Sequence, residues 1–567
     1  MRHLLTIFLA LLLLTAAAPA EASSPARAQK FMIATANPMA TEAGLKILRA
    51  GGSAVDAAIA AQMVLALVEP QSSGIGGGAF LVHFNRQQGA TTSYDGRETA
   101  PAAATPDRFM GPDGKPLSYF DAVVGGRSVG VPGTLRVLEL AHRNHGVLPW
   151  ARLFEDAIRL AEEGFPVPPR MADALTREKH LIQEAARAYF HKPDGTLWAA
   201  GESLRNPALA DTLRRVAEGG PEAFYTGPIA QDIVDAITQA PRNPGDMTLA
   251  DLAGYEAKER PAVCGPYRQF EVCGMGPPSS GALTMLMSLA MLERFDLPGQ
   301  TPLSVDAAHW ILEAQRLAYA DRGLYMADSD FVDVPMEGLL DRGYLAGRAA
   351  LIDPARSTGA AAQPGEVPRK RTQDFAPDSA LELPATSHLA IVDGEGNALS
   401  MTTTIEAVFG SRLMVRGFLL NNELTDFSFR PDIDGKPVAN RVEPGKRSRS
   451  SMSPTLVFDG DDKLRLVVGS PGGSQIINYV MKTVIGVLDW GLDPQAAIAL
   501  PNISNRNGAS EIERRADADA LAEALAARGH RIDRGSLVSG LQAIQILPDG
   551  TLLGGADPRR DSLAAGD

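Results

Sequence analysis

From Met39 to Val68, apolar residues recur at intervals of three and four, and Gly51-Gly52-Ser53 interrupts them. That spacing predicts two successive helices. Ser72-Ser73-Gly74-Ile75-Gly76-Gly77-Gly78 then runs into Ala79-Phe80-Leu81-Val82, a glycine turn feeding a strand, and a second strand is expected near Thr91 to Tyr94. Residues 149–164 and 306–321 carry the spacing of amphipathic helices. Residues 355–385 break the pattern. Arg356 to Gly365 and the run Arg369-Lys370-Arg371 have little periodicity and predict a loop or linker. A β pattern follows at once, with Ser387–Val392 as a strand, Asp393-Gly394-Glu395-Gly396-Asn397 as a turn and Ala398–Ile405 as the return strand. Leu464–Val468 is a further strand, and after Gly469-Ser470-Pro471-Gly472-Gly473 a helix is expected from Ser474 to about Trp490. The first two-thirds is thus mixed α and β and rich in helix, without an internal repeat.

The start of the chain reads differently. A short positive beginning, Met1-Arg2-His3, precedes the apolar run Leu4–Leu14, and small-x-small sites end at Ala20 and Ala22. This is the pattern of a secretory signal peptide over residues 1–22, cut after Ala20 or Ala22. The run is shorter than the ~20 apolar residues a bilayer span needs. The expectation is an exported protein, periplasmic or secreted, with no membrane span in its mature form.

The 567 residues include 45% hydrophobic and 21% charged, the balance of a globular protein, and the formal net charge is -13. An acidic chain of this size argues against nucleic acid as the main partner. Of the two cysteines, Cys264 and Cys273, an oxidising compartment allows a disulfide if they face each other across a hairpin; two free buried thiols are equally compatible.

Several chemistries are excluded early. There is no G-x-x-x-x-G-K-[ST] and no H-E-x-x-H, and the nine histidines are scattered, so no metal site is expected. The glycine loop at 74–78 precedes a strand, the wrong context for a nucleotide loop, and reads as a tight structural turn. Gly472-Gly473, between a strand and a helix start, could direct consecutive N–H groups at an oxyanion, or simply make the turn. The junction at 385/386 is more pointed. Were the bond before Thr386 cut, that residue would carry a hydroxyl and its own α-amine, whose pKa of about 7.7 suits a base near neutrality. Taken alone, Thr386 could equally be an ordinary strand threonine.

The residues then become recognisable. Thr386-Ser387-His388-Leu389, Leu420-Asn421-Asn422-Glu423-Leu424-Thr425-Asp426-Phe427, Ser450-Ser451-Met452-Ser453-Pro454-Thr455 and Gly469–Ser474 together resemble the small subunit of γ-glutamyltransferases. Pro70–Gly78, Asp95-Gly96-Arg97-Glu98-Thr99-Ala100-Pro101, Pro277–Gly281 and Glu313–Arg322 resemble the large subunit. The resemblance runs from about residue 30 to Arg559.

It implies an α+β fold, the four-layer αββα sandwich of the N-terminal-nucleophile hydrolases. It also implies a precursor that cuts itself between Ala385 and Thr386. The large subunit would be 23–385 and the small subunit 386–567, a heterodimer within one domain. By position, Thr386 would be the nucleophile and Thr404 its orienting partner. Gly472 and Gly473 would hold the oxyanion. Arg97, Ser450 and Ser451 would hold the donor's α-carboxylate, and Glu406, Glu423 and Asp426 its α-ammonium. Glu406 stands where many members have Asn, and Glu423 where Gln is common. The stretch from Phe427 to Ser450 looks shorter than in members with a long lid, which would admit larger donors.

The implied reaction moves a γ-glutamyl group from glutathione, glutamine or a related compound to water, an amino acid or a dipeptide, with no cofactor. A cephalosporin or glutaryl acylase of the same superfamily is the alternative, and the acidic trio argues against it. A non-catalytic exported binding protein is a third reading, disfavoured because every implied catalytic residue is present.

Overall fold

The expected strand–turn–strand at 387–405 lies in the middle of a seven-stranded sheet. The computed structural model describes residues 24–368, 374–378, 380, 382–383 and 385–567. The expected leader, residues 1–22, and the run Arg369-Lys370-Arg371 lie outside the described residues.

In chain order, the strands of the two large sheets are β1 (Ala26–Ala28), β2 (Met32–Thr35), β3 (Gly78–Asn85), β4 (Ala90–Gly96), β5 (Lys258–Pro261), β6 (Val263–Tyr267) and β7 (Phe270–Gly274). They continue with β8 (Ser387–Val392), β9 (Ala398–Thr404), β10 (Thr455–Phe458), β11 (Leu464–Gly469), β12 (Gln542–Ile546), β13 (Leu552–Ala556) and β14 (Leu563–Gly566). The first sheet has the order β14-β2-β8-β9-β3-β4-β5 and the second β1-β13-β12-β11-β10-β7-β6. β8 and β9 are buried at every position, because one face meets β11 and β12 of the other sheet and the opposite face meets helices. Strands covered on both sides need no polar alternation.

Two helices, α1 (Pro38–Arg49) and α2 (Ala54–Val68), cover the first sheet. Asn37 caps α1 through Met39 N–H, with Pro38 at its first position, and Ser53 and Asp56 form a reciprocal capping box on α2. Asp393, in the turn between β8 and β9, also accepts from the N–H of Ala54 at 3.0 Å, tying the hairpin turn to the start of α2. On the second sheet lie α3 (Gly281–Leu292), α5 (Ile476–Leu488) and α6 (Pro494–Ala499), with α4 (Val305–Tyr325) packed on α3. Helices, sheet, sheet and helices make the αββα sandwich.

Most sequence expectations hold. Residues 149–164 become a 3-10 turn, Trp150–Phe154, followed by an amphipathic helix, Glu155–Glu163. The described part of 355–385 contains no helix or strand. Cys264 and Cys273 stand directly opposite on β6 and β7, with Cα atoms 4.1 Å apart, and are joined as a disulfide. The reading of 306–321 needs correction. α4 is buried almost all round, including its charged residues Glu313, Arg316, Asp321 and Arg322. What looked like a solvent face is covered because each charge has a buried partner: Arg316 pairs with Glu313, Asp321 with Arg348, and Arg322 with Glu382.

Candidate active site

The hairpin register sets the first contact. Ser387 pairs with Thr403 and the ladder runs in step to Val392 and Ala398. One pair further out, Thr386 stands opposite Thr404. The Thr386 hydroxyl donates to Thr404 Oγ1 at 3.2 Å, and both residues are buried. Thr404 Oγ1 also accepts from the N–H of Glu406 at 2.8 Å and donates to the carbonyl of Ala385 at 3.4 Å. The Thr404 hydroxyl therefore touches both the Thr386 oxygen and the carbonyl of the 385–386 peptide. Arg560 fixes the other side of the junction by donating to the Thr386 carbonyl at 2.8 Å.

The glycine loop before β3 packs against this hairpin. A Cβ on Gly77 would lie 1.9 Å from the Thr404 carbonyl oxygen, so only glycine permits the approach. Ser73 Oγ donates to Ser387 Oγ at 3.1 Å. The loop is a support for the threonine pair, in agreement with its reading as a structural turn.

His388 follows two residues later but is not placed to serve as a base. Burial drives its pKa down to about 3, so the ring is neutral, and it is engaged with Thr402 Oγ1 at 2.9 Å.

One pocket gathers Arg97, Thr386, Thr404, Glu406, Glu423, Asp426, Ser450, Ser451 and Gly473, nine of the ten residues expected at the site. The tenth, Gly472, sits one residue behind, where a Cβ would come within 2.6 Å of the Tyr479 ring. Both glycines have positive φ, 141° and 58°, which the turn into α5 requires. Ser450 Oγ accepts from Met452 N–H at 3.1 Å, and its carbonyl accepts from Ser280 Oγ at 2.7 Å.

Arg97 leads the charged wall. Its guanidinium contacts Glu423, donates to Asp426 Oδ2 at 2.6 Å, and reaches the carbonyls of Ser448 and Arg449 at 3.2 and 3.0 Å. Arg97 is thus joined to the two acidic residues that were expected to act separately from it. Burial works against its charge, but the carboxylates of Glu423, Asp426 and Glu98 outweigh this and raise its pKa. Burial also raises the carboxyls of Glu406, Glu423 and Asp426 well above their usual range, with carboxylate neighbours adding to the effect. Glu406 has φ of 72°, a rare conformation for its type, and is held by Asn422 and by Tyr119 Oη at 3.1 Å. Among the described residues, Glu423 Oε2 and Asp426 Oδ1 are buried and meet no N–H or hydroxyl donor, the two carboxyls lying beside each other. A group with several N–H donors and a positive charge would satisfy both.

Sequence reasoning passed over three charged residues here. Glu98 adjoins Arg97 and is fully buried beside the carboxyl of Glu423; burial lifts its pKa to about 8, with Arg97 opposing. Its neighbour in the chain was the available signal. Arg322 and Glu382 also meet at the pocket, with Arg322 Nη2 donating to Glu382 Oε1 at 2.5 Å. Arg322 ends a segment already noted for its resemblance, whereas Glu382 lay in the apparent linker and carried no signal.

Comparison with known proteins fits this geometry. Residues 40–567 match the sequence model of the family described as gamma-glutamyltranspeptidase. The glutathione hydrolase proenzyme of Bacillus subtilis strain 168 is 36% identical over 586 aligned residues, which cover 99% of this chain and 98% of that protein. The glutathione hydrolase proenzyme of Escherichia coli K12 is 37% identical, covering 96% and 93%. The solved structure of a cephalosporin acylase from Bacillus halodurans superposes with a TM-score of 0.84 at 29% identity, covering 98% of each chain.

Proposed function

Because this chain belongs to the γ-glutamyltranspeptidase family, we propose that Thr386 is its nucleophile and that the 385–386 bond is cut first to free the Thr386 amine. In that first step the Thr386 oxygen attacks the Ala385 carbonyl carbon. The acyl group moves from nitrogen to oxygen, and water hydrolyses the ester. The large subunit then ends at Ala385 and the small one begins at Thr386.

The mature reaction repeats this chemistry on a γ-glutamyl amide such as glutathione or glutamine. The free α-amine takes the hydroxyl proton as Thr386 Oγ1 bonds to the γ-carbonyl carbon. The N–H groups of Gly472 and Gly473 receive the oxyanion. The amine leaves with the transferred proton, and a γ-glutamyl ester remains on Thr386. Water releases glutamate, or an amino acid or dipeptide takes the group as acceptor. Arg97, Ser450 and Ser451 bind the donor's α-carboxylate. Glu406, Glu423 and Asp426 bind its α-ammonium. No cofactor or metal enters the scheme.

The observation that carries the reading is the pairing of a buried Thr386–Thr404 contact with two carboxylate oxygens in the same pocket that meet no N–H or hydroxyl donor. It also separates this reading from the acylase alternative raised by the B. halodurans likeness. A glutaryl donor lacks the ammonium and would supply those oxygens with no N–H. Rates on γ-glutamyl and glutaryl anilides decide the matter: the γ-glutamyl compound should react at least about tenfold faster, the worth of one good charge-assisted contact. Equal rates, or preference for the glutaryl compound, would assign the chain to the acylases.

Export, with removal of residues 1–22, belongs to the same proposal. No helix among the described residues is long and apolar enough to cross a membrane. The expectation of larger donors is tested by comparing glutathione with poly-γ-glutamate.

A further inference from the structure

In the uncut chain the pocket contains a carboxylate of the chain's own. Glu382, four residues before Thr386, points into the cavity that Thr386 lines. Its Oε2 accepts from the Ser451 hydroxyl and its Oε1 from Arg322 Nη2 at 2.5 Å, with Arg449 Nη2 3.6 Å away. Arg322 Nη2 also reaches Ser451 Oγ at 2.7 Å, and its Nε reaches Ser280 Oγ at 2.9 Å. These groups are buried. The backbone beside Glu382 lies over Gly473, where a Cβ would come within 2.6 Å of the Glu382 carbonyl oxygen.

The two arginines of the pocket differ in a telling way. Arg97 already meets Glu423, Asp426 and two main-chain carbonyls, and keeps one of its five N–H groups for a donor. Arg322 has a single carboxylate partner among the described residues, and that partner belongs to the segment just before the bond to be cut. Arg449 has a second, nearer carboxylate in Asp378, at 2.8 Å. Once Glu382 withdraws, Arg322 and Ser451 hold a charge and a hydroxyl with no acid to meet them. A buried guanidinium left unpaired is costly and will recruit an anion.

We propose that Glu382 is an internal stand-in for the donor's α-carboxylate, seated on Arg322 and Ser451 until the chain is cut, and that Arg322 afterwards binds the donor there. This rests on the donor reading above and adds Arg322 as a residue that sets specificity. It also gives the uncut chain a reason to refuse donors, since its own acid occupies their seat.

Calorimetric titration with L-glutamate tests the idea on folded, full-length proteins. Matured wild type should bind. Thr386→Ala, which stays uncut, should show no binding. Thr386→Ala with Glu382→Ala should bind within about tenfold of the matured protein, and adding Arg322→Gln should weaken that by about 10- to 100-fold. If the alanine pair does not fold, Glu382→Gln in the same background takes its place, with binding still expected to appear. In the matured enzyme Arg322→Lys should raise KM for a γ-glutamyl anilide more than it lowers kcat. The proposal is overturned if the uncut Thr386→Ala chain binds glutamate as tightly as matured protein, or if releasing Glu382 in a folded chain restores nothing. If matured wild type binds no glutamate and turns over no γ-glutamyl anilide, the donor reading itself fails and this inference falls with it.

Discussion

The two sides of the pocket are built on opposite principles. On one side stand Thr386 and Thr404, small neutral hydroxyls at the open end of one hairpin, brought together by six paired positions and a short turn. On the other stand Arg97, Glu98, Glu406, Glu423 and Asp426, buried charges drawn from separate segments. The hydroxyl side costs little to assemble, because the sheet forms its ladder regardless. The charged side carries more carboxyls than its single guanidinium can neutralise, and burial raises each carboxyl. On the proposed roles, reactivity would be placed where geometry is cheap and rigid, and selectivity where desolvation makes every missing partner expensive.

This contrast can be broken at its strongest point first. Thr386→Ala should remove both chain cutting and turnover, a loss of at least about 10⁴-fold, as for nucleophiles of other covalent enzymes. A small fragment beginning Thr-Ser-His-Leu should appear by mass and N-terminal sequencing only in the wild type, and a wild-type chain that stays whole would remove the catalytic amine. Asp426→Ala comes next. It strips a buried partner from Arg97 and an acceptor from the ammonium site, and should lower kcat/KM by about 10²- to 10³-fold, mostly through KM. An effect confined to kcat would mean the charged side does chemistry rather than recognition.

Thr404→Ala should be milder, lowering kcat by about 10- to 100-fold with KM nearly constant, because it removes one neutral hydrogen bond and an orienting contact. Thr404→Ser should recover most of that loss. The last effect is on stability, read as a slope rather than a rate. The Glu98 pKa rises from 4.5 unfolded to about 8 folded, so the native state holds a proton that the unfolded chain has released. Stability from this group is complete below about pH 4.5 and is lost as pH rises towards about 8. Glu98→Gln should flatten that decline by an amount on the order of a few kcal/mol, read as the pH dependence of urea unfolding. An unchanged slope would show that Glu98 titrates normally.

The hydroxyl side was also the legible one. Strand periodicity on either side of Asp393–Asn397 marked the hairpin; Thr404 as partner of Thr386 came from the resemblance, and the register of the hairpin accounts for it. α2 was readable from its apolar spacing after the Gly51-Gly52-Ser53 break, although the Asp56 half of its capping box emerged only in the fold. The charged side was visible only through resemblance, because Arg97 and Asp426 lie 329 positions apart and no local rule joins them. Their pairing with each other was not anticipated. Glu382 looked like one more charge in a polar linker, and Arg322 like the solvent face of a helix. A charge in a sequence reads as exposed unless its partner is known, and here the partners lie 60 positions apart.

The interleaving of the two sheets has a consequence of its own. The first sheet interleaves strands from before and after residue 386, with β8 against β2, β9 against β3 and β14 against β2. The second joins β1 to β13 and β7 to β10 in the same way. A cut before Thr386 would therefore leave two pieces woven through both sheets, unable to part without dismantling them. The cut would also change what happens after denaturation. An uncut chain refolds by a search within one molecule, at a rate independent of dilution. The cut pieces must first find each other, and the effective concentration supplied by the link is gone. Maturation would then act as a ratchet, leaving a protein whose persistence depends on how slowly it unfolds rather than on how readily it returns.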